Sequence, residues 1–215
     1  MPVVRVNNLT VSLDGYVAGP DQSQDHPLGV GGEQLHGWMV ATKAFREAHD
    51  MEGGDTGPDS DIAARGAHGY GAEIMGRNKF GPVRGAWPDD AWRGWWGENP
   101  PFHTPVFVLT HHPRDPLVME GGTTFHFVSD GIESALEQAR AAAGDLDVHI
   151  GGGALTVREY LAADLIDEMH LALVPVLLGG GERLFEGVDL ADRFEFEPVQ
   201  SSPAAAHFVL RRKAR

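Results

Sequence analysis

The chain has 215 residues and a formal net charge of −14, from 17 basic against 31 acidic side chains. That balance excludes a sequence-independent nucleic-acid binder, because neutralising phosphates takes a basic stripe, and the one compact cationic run, RRKAR at the C-terminus, reads as a solvated tail. With no cysteine, the chain builds no disulfide, thiolate metal site or thiol nucleophile, so redox chemistry requires a bound cofactor. No apolar run approaches the roughly 18 residues that span a membrane, and no charged leader opens the N-terminus, so a cytoplasmic protein is expected.

Residues 3 to 11 are rich in Val and Leu and predict a buried strand, closed by the turn residues Asp14 and Gly15. A Gly, Pro and Asp loop follows. From Glu33 to about His49, Leu35, Trp38, Met39 and Phe45 recur at helical spacing and predict one amphipathic helix. Residues 51–66 are acidic, glycine-rich and almost without apolar anchors, which predicts a flexible excursion within a single domain spanning 1–215. AEIMG then reads as a short strand ending at a glycine, with RNKFG after it. Residues 81–104 hold Trp87, Trp92, Trp95 and Trp96 among Pro and Gly, the composition of a covering flap or a subunit contact.

PVFVLT and TTFHFVS predict two further strands. SDGIESALEQARAAAG predicts a helix capped by Asp130, with Glu133 in capping-box position and Gly144 as its stop. DVHI is a fifth strand, running into Gly151, Gly152 and Gly153. Helical spacing resumes with Val157, Tyr160, Leu161 and Leu165. The remainder (EMHLALVPVLL, RFEFEPV, AHFVLRR) alternates or is apolar throughout and reads as strands. Interleaving first and strands last predict α/β, with parallel pairing early and an antiparallel C-terminal edge.

A glycine-rich turn between a strand and a helix exposes the first helix amides at the positive end of the dipole, without a Cβ to hold an anion away. The spacing is neither G-x-G-x-x-G nor a P-loop, and a plain tight turn is the competing reading. A second strand ends at Gly76, followed by Arg77 and Lys79, whose charges can meet phosphate. A third ends at Thr110, His111, His112 and Arg114. Adjacent strand-end histidines point apart, so no metal site is expected. Carboxyl ends of neighbouring parallel strands share one edge, so the three ends would converge on one ligand.

The order SLDGYVAG, IMGRNKF, VFVLTHHPR and HIGGGALTVREYLAADLIDEMHLALVPVLLGGGERLF resembles the dihydrofolate reductase fold. Within it, the chain is similar to the C-terminal reductase domain of bacterial riboflavin biosynthesis proteins. The resemblance implies a central mixed sheet of about eight strands, mostly parallel and flanked by helices, binding NADPH across the strand ends. It implies that Gly151, Gly152, Gly153, Ala154, Leu155 and Thr156 hold the diphosphate and that Gly76, Arg77, Asn78 and Lys79 form the phosphate-contacting turn. It places Thr110 and His111 on the adenosine side, Arg114 near a 2′-phosphate, and Val17 and Ala18 beside the nicotinamide. Trp38 stands in register in the substrate-facing helix but lacks the carboxylate of dihydrofolate reductases, with Glu33 only close by. Asp14 then becomes the substrate-contacting acid and proton source, or else a turn former bonded to its own backbone. Glu182, in the second glycine run, is implied near the substrate, and Trp38 and the flap tryptophans offer stacking surfaces for a flat ring.

The activity implied is an NADPH-dependent reduction of a small heterocyclic or carbonyl substrate, expected to be neither riboflavin synthesis nor dihydrofolate reduction. The alternative is a non-catalytic nucleotide- or flavin-binding protein on the same fold. A homodimer with a small-molecule substrate, and no membrane partner, is expected.

Overall fold

The structure is a computed structural model and describes residues 2–81, 84–187 and 189–214. Its strands are β1 (Val4–Ser12), β2 (Tyr16–Ala18), β3 (Tyr70–Gly76), β4 (Pro105–Leu109), β5 (Leu117–Val118), β6 (Thr124–Val128), β7 (Asp147–Gly152), β8 (Glu168–Val174), β9 (Glu182–Arg183), β10 (Phe194–Pro198) and β11 (Ala206–Arg212). Its α-helices are α1 (Gly37–Val40), α2 (Lys43–Ala48), α3 (Pro58–Ala67), α4 (Arg77–Phe80), α5 (Ile132–Ala143) and α6 (Ala154–Ala162).

Among the described residues, nine strands form one sheet in the order β10-β11-β8-β1-β7-β3-β4-β6-β5. The six from β8 to β6 run parallel. Strands β10 and β11 make the expected antiparallel C-terminal edge, and the two-residue β5 adds an antiparallel edge on the other side. Strands β2 and β9 pair separately as a small antiparallel ribbon. No described helix is long and apolar enough to cross a membrane.

One face of the sheet is apolar because alternate residues of its central strands, Val4, Val6, Ala72, Ile74, Val148 and Ile150, point the same way. They bury against Ala135, Leu136 and Ala139 of α5 and Val157, Tyr160 and Leu161 of α6. Full burial of each large side chain contributes about 1.5–3 kcal/mol. The Tyr160 hydroxyl donates to the Ile132 carbonyl at 2.7 Å, so its polar end is satisfied. On the opposite face, two separate covers leave a gap between them. Residues 32–67 pack over β1 and β8 through Leu35, Trp38, Ile62 and Ala63, and Trp87, Trp92 and Trp96 pack with Phe80 over β4 and β6. The uncovered strip belongs to β3 and β7.

Three local expectations change. The helix expected from Glu33 to His49 is broken into a 3₁₀ turn (Gly32–His36), α1 and α2. Thr42 causes the break: its backbone is extended, while its hydroxyl donates to the Met39 carbonyl and accepts from the Phe45 amide. The excursion 51–66 is half helix and is tied to its neighbours at several points. Asp55 pairs by backbone with Ala41 and Lys43, Pro58 starts α3 at its first turn, and Ile62 and Ala63 are buried. Helix α5 starts after Gly131 with no side-chain cap, so the Asp130 and Glu133 capping box does not form, whereas Gly144 does end the helix.

A buried relay fixes α3 to the sheet. Strand β1 changes register between Val6 and Leu9, with Asn8 at φ 53°. The Asn8 amide donates to His170 Nδ1 (3.1 Å), His170 Nε2 meets His207 Nδ1 (3.1 Å), and His207 Nε2 meets Asp59 Oδ1 (2.9 Å). Because Nδ1 of His170 accepts, each Nε2 carries the proton and donates onward, an assignment made from the network. Burial, then the neighbouring charges of His207 and Arg65, lower the His170 pKa to about 3. The unfolded chain therefore binds a proton near pH 6.5 that the folded chain refuses until about pH 3, and stability falls as pH drops through that window. We expect a loss from this group that steepens from about 0.7 kcal/mol per pH unit at pH 6.5 toward about 1.4 at pH 5, above the carboxylate range. Urea unfolding along that series should show a shallower slope for His170→Asn, and an unchanged slope would contradict the assignment.

Candidate functional site

Parallel pairing of the six central strands puts their carboxyl ends on one edge of the sheet. A cleft of about 1880 Å³ runs along that edge and down the uncovered strip of β3 and β7. It is lined by Val17, Ala18, Gly76, Arg77, Asn78, Lys79, Thr110, His111, Gly151, Gly152, Gly153, Ala154, Leu155, Thr156 and Glu182. The structure thus brings together the three strand ends singled out in the sequence, two of them glycine-led. The β2–β9 ribbon adds the far wall by setting Ala18 opposite Glu182.

The three glycines serve three purposes. At Gly151 a Cβ would overlap the Glu73 carboxylate and the Lys79 ammonium. Gly152 has φ +105°, a conformation L side chains rarely adopt. Gly153 has an ordinary φ of −75° and caps α6 without a side chain. A Cβ at Gly152 or Gly153 would meet nothing within 4 Å among the described residues, so both face open cleft beside the first amides of α6. Gly76 is bare for another reason: a Cβ there would overlap Thr156 Oγ1, so α6 and the end of β3 lie against each other.

Below the glycines lies a group that the sequence reading passed over. Glu73, 1% exposed, holds Lys79 Nζ at 2.9 Å through Oε1 and His149 Nδ1 at 3.1 Å through Oε2. Lys79 Nζ also donates to the Gly151 carbonyl at 2.9 Å. The Asn7 amide donates to His149 Nε2 at 3.4 Å, and the Tyr70 ring lies 5.0 Å from the imidazole. Burial alone would raise the Glu73 pKa; the Lys79 charge and then His149 outweigh it and hold the carboxyl at about 2. His36 also lines the cleft, with Nδ1 buried and unpartnered among the described residues. The sequence carried one signal for Glu73: a carboxylate inside a short apolar strand needs a partner. No periodic signal marked His149, Tyr70 or His36.

Four expected roles are corrected. Lys79 gives two of its three N–H groups to Glu73 and the Gly151 carbonyl, so it belongs to the floor pair rather than standing free in the turn. Arg114 lies outside the cleft lining, its guanidinium 5% exposed and bound to the Trp92 and Asp90 carbonyls and the Asp90 carboxylate, which removes it from a 2′-phosphate. Asp14 is a turn former and no proton source. Ser12 Oγ (2.5 Å) and the amides of Leu178 (3.2 Å) and Gly179 (2.7 Å) donate to its carboxylate, and the Ser12 bond leads the causes that hold it at about 2. Such a group has no proton to give near neutral pH. Trp38 is 4% exposed, donates Nε1 to Thr10 Oγ1 at 2.9 Å, and packs on His207 and His170 away from the cleft, so it offers no stacking surface.

Thr110 stays at its strand end, receiving the His112 amide (3.1 Å) and Arg77 Nη1 (3.3 Å). Arg77 lies 3.0 Å from the Trp87 ring centroid, and its Nε and Nη2 are buried without a partner among the described residues. Burial, then the Arg114 charge, lower its pKa to about 10, a group that an anion would stabilise.

The strand order and the edge cleft define a dihydrofolate reductase-like α/β protein. Residues 2–208 match the RibD C-terminal domain, and the chain belongs to that family. Solved structures agree on the fold. A protein of Shewanella sp. PV-4 assigned to riboflavin biosynthesis is 22% identical with a TM-score of 0.59, covering 99% of each chain. Dihydrofolate reductase from Enterococcus faecalis, solved with NADP(H) and RAB-propyl, is 13% identical with a TM-score of 0.52, covering 99% of this chain and 97% of that one. The Thermotoga maritima diaminohydroxyphosphoribosylaminopyrimidine deaminase/5-amino-6-(5-phosphoribosylamino)uracil reductase is 15% identical with a TM-score of 0.53; 99% of this chain matches 57% of that one. No curated protein matches the sequence.

Gly151→Ala should destabilise the protein by about 3 kcal/mol or more, since the new methyl displaces one member of a buried ion pair. Urea unfolding at pH 7 measures it, and a cost below about 1 kcal/mol would contradict the close approach.

Proposed function

We propose that the chain is an NADPH-dependent reductase of a small carbonyl or heterocyclic compound. One observation carries this reading: the open space over Gly152 and Gly153 borders the first amides of α6, and Gly76, Arg77 and Thr110 stand at the adjoining strand ends. Family membership supports it, and so does the fit of the residues to a dinucleotide. Any Cβ at Gly152 or Gly153 would fill the cradle, and Arg77 has two buried donors with no partner among the described residues.

The α6 amides, at the positive end of a nine-residue helix, would take the diphosphate. Arg77, braced by Trp87 and Thr110, would take the phosphate of the adenosine portion in the role expected of Arg114. Val17 and Ala18 would border the ring at the other end, beside Glu182. When bound, NADPH supplies a hydride. The protein's part is to hold donor and acceptor together and keep water from them, and the flap residues Trp95, Trp96 and Phe102 line the cleft where they could do so. The floor carboxylate, Glu73, is spent on Lys79 and His149, leaving it unavailable to grip a protonated pterin. This supports an acceptor other than dihydrofolate.

Titration of tryptophan fluorescence with NADPH tests the reading. Gly153→Ala should weaken NADPH about tenfold or more while the melting temperature stays close to wild type, and Arg77→Met should weaken NADPH more than NADH by about tenfold. Unchanged NADPH affinity in Gly153→Ala would overturn the diphosphate assignment.

A further inference from the structure

We propose that Lys79 Nζ and His36 Nδ1 are the paired hydrogen-bonding groups that receive the carbonyl oxygen of an uncharged, flat acceptor in the cleft. This rests on the reductase reading and deepens it by naming the acceptor's class.

An ammonium has three N–H groups. Lys79 uses one on Glu73 and one on the Gly151 carbonyl, and its side chain is 30% exposed on the cleft wall, so one donor remains. The two bonds it makes fix the direction of the third, as a preorganised site requires. His36 reaches the same cleft from the turn before α1, with a buried Nδ1 that no described group satisfies. Burial, and then the Lys79 charge, lower its pKa, so the ring is neutral near pH 7 and can donate one hydrogen bond. Leaving a buried polar atom unpaired costs about 1–3 kcal/mol, and a ligand oxygen would remove that cost.

Charge decides the class of oxygen. The ammonium is already balanced by Glu73 at 2.9 Å, so the pair presents a donor with little net positive field. A carboxylate placed on Lys79 would lie close to the Glu73 carboxylate in a poorly solvated floor, where like charges repel strongly. A carbonyl oxygen carries no such penalty, and it gains negative charge as a hydride is added to its carbon, when the fixed donors count most. Met39, Phe45 and Phe102 supply apolar walls for the rest of the molecule. A cyclic ketone, enone or quinone meets these requirements.

The test uses 1,4-naphthoquinone, and 1-naphthoate as its charged counterpart, titrated against tryptophan fluorescence with and without NADP⁺, whose oxidised ring has no hydride to give. Wild type should bind the quinone about tenfold or more tighter than the naphthoate. His36→Leu, which breaks no internal bond at Nδ1, should weaken the quinone about fivefold or more. Glu73→Gln with Lys79→Met, which replaces the buried pair by uncharged side chains of similar volume, should weaken it about tenfold or more. His36→Leu should keep NADP⁺ affinity within about twofold. Quinone binding within about twofold of wild type in either folded variant, or naphthoate binding as tightly as the quinone, overturns the proposal. If circular dichroism shows the double variant unfolded, His36→Leu decides. Wild type that binds no NADP⁺ sinks the reductase reading instead, and the nucleotide-free titrations still decide this one.

Discussion

A carboxylate in the middle of a parallel sheet has to be neutralised within reach, and in this chain the cation comes from the turn at the end of the same strand. Glu73 draws Lys79 back over β3, and the pair lies so close to β7 that a side chain at position 151 would have to displace it. Much of the site follows from that one interaction. It sets the course of α4, pins the turn at 76–79 against the glycine-led end of β7, and puts a fixed donor on the cleft wall. With α4 held there, Arg77 is left to lie on Trp87 with donors to spare.

The same economy governs the open strip of the sheet. Residues 32–67 and the tryptophan segment each cover part of one face, and each is anchored by buried polar groups as well as apolar ones. The relay from Asn8 through His170 and His207 to Asp59 holds α3, while Trp87 and Trp92 donate to the His112 and Phe80 carbonyls. The strip between the covers is polar because Asn7, Glu73 and His149 share its face. A cleft with a polar floor and apolar walls is what remains.

The main strands, and the change from parallel pairing to an antiparallel C-terminal edge, were legible because runs such as AEIM and PVFVL leave few alternatives, and the glycine-led ends marked the edge where they converge. Roles that depend on distant partners were not legible. Trp38 fits an amphipathic helix equally well whether its ring faces substrate or core, and partners distant in sequence, Thr10 of β1 and the histidines of β8 and β11, decide for the core. Asp14 and Arg114 carry the right charges for a site, but the amides of 178 and 179 and the carbonyls of 90 and 92 claim them first. Helix α3 was hidden in an acidic stretch because its few apolar residues, Ile62 and Ala63, suffice once the relay holds Asp59. Even the triple glycine was only partly readable: one of its members answers to Glu73, and no local pattern shows that.

Where a dinucleotide lies on this molecule decides the role of its glycine-led edge. A crystal structure of the protein soaked with NADP⁺ should show the diphosphate within hydrogen-bonding distance of the backbone amides at the start of α6, over Gly152 and Gly153, with a phosphate of the adenosine portion on Arg77. Nucleotide bound at any other surface, with that cradle empty, would contradict it.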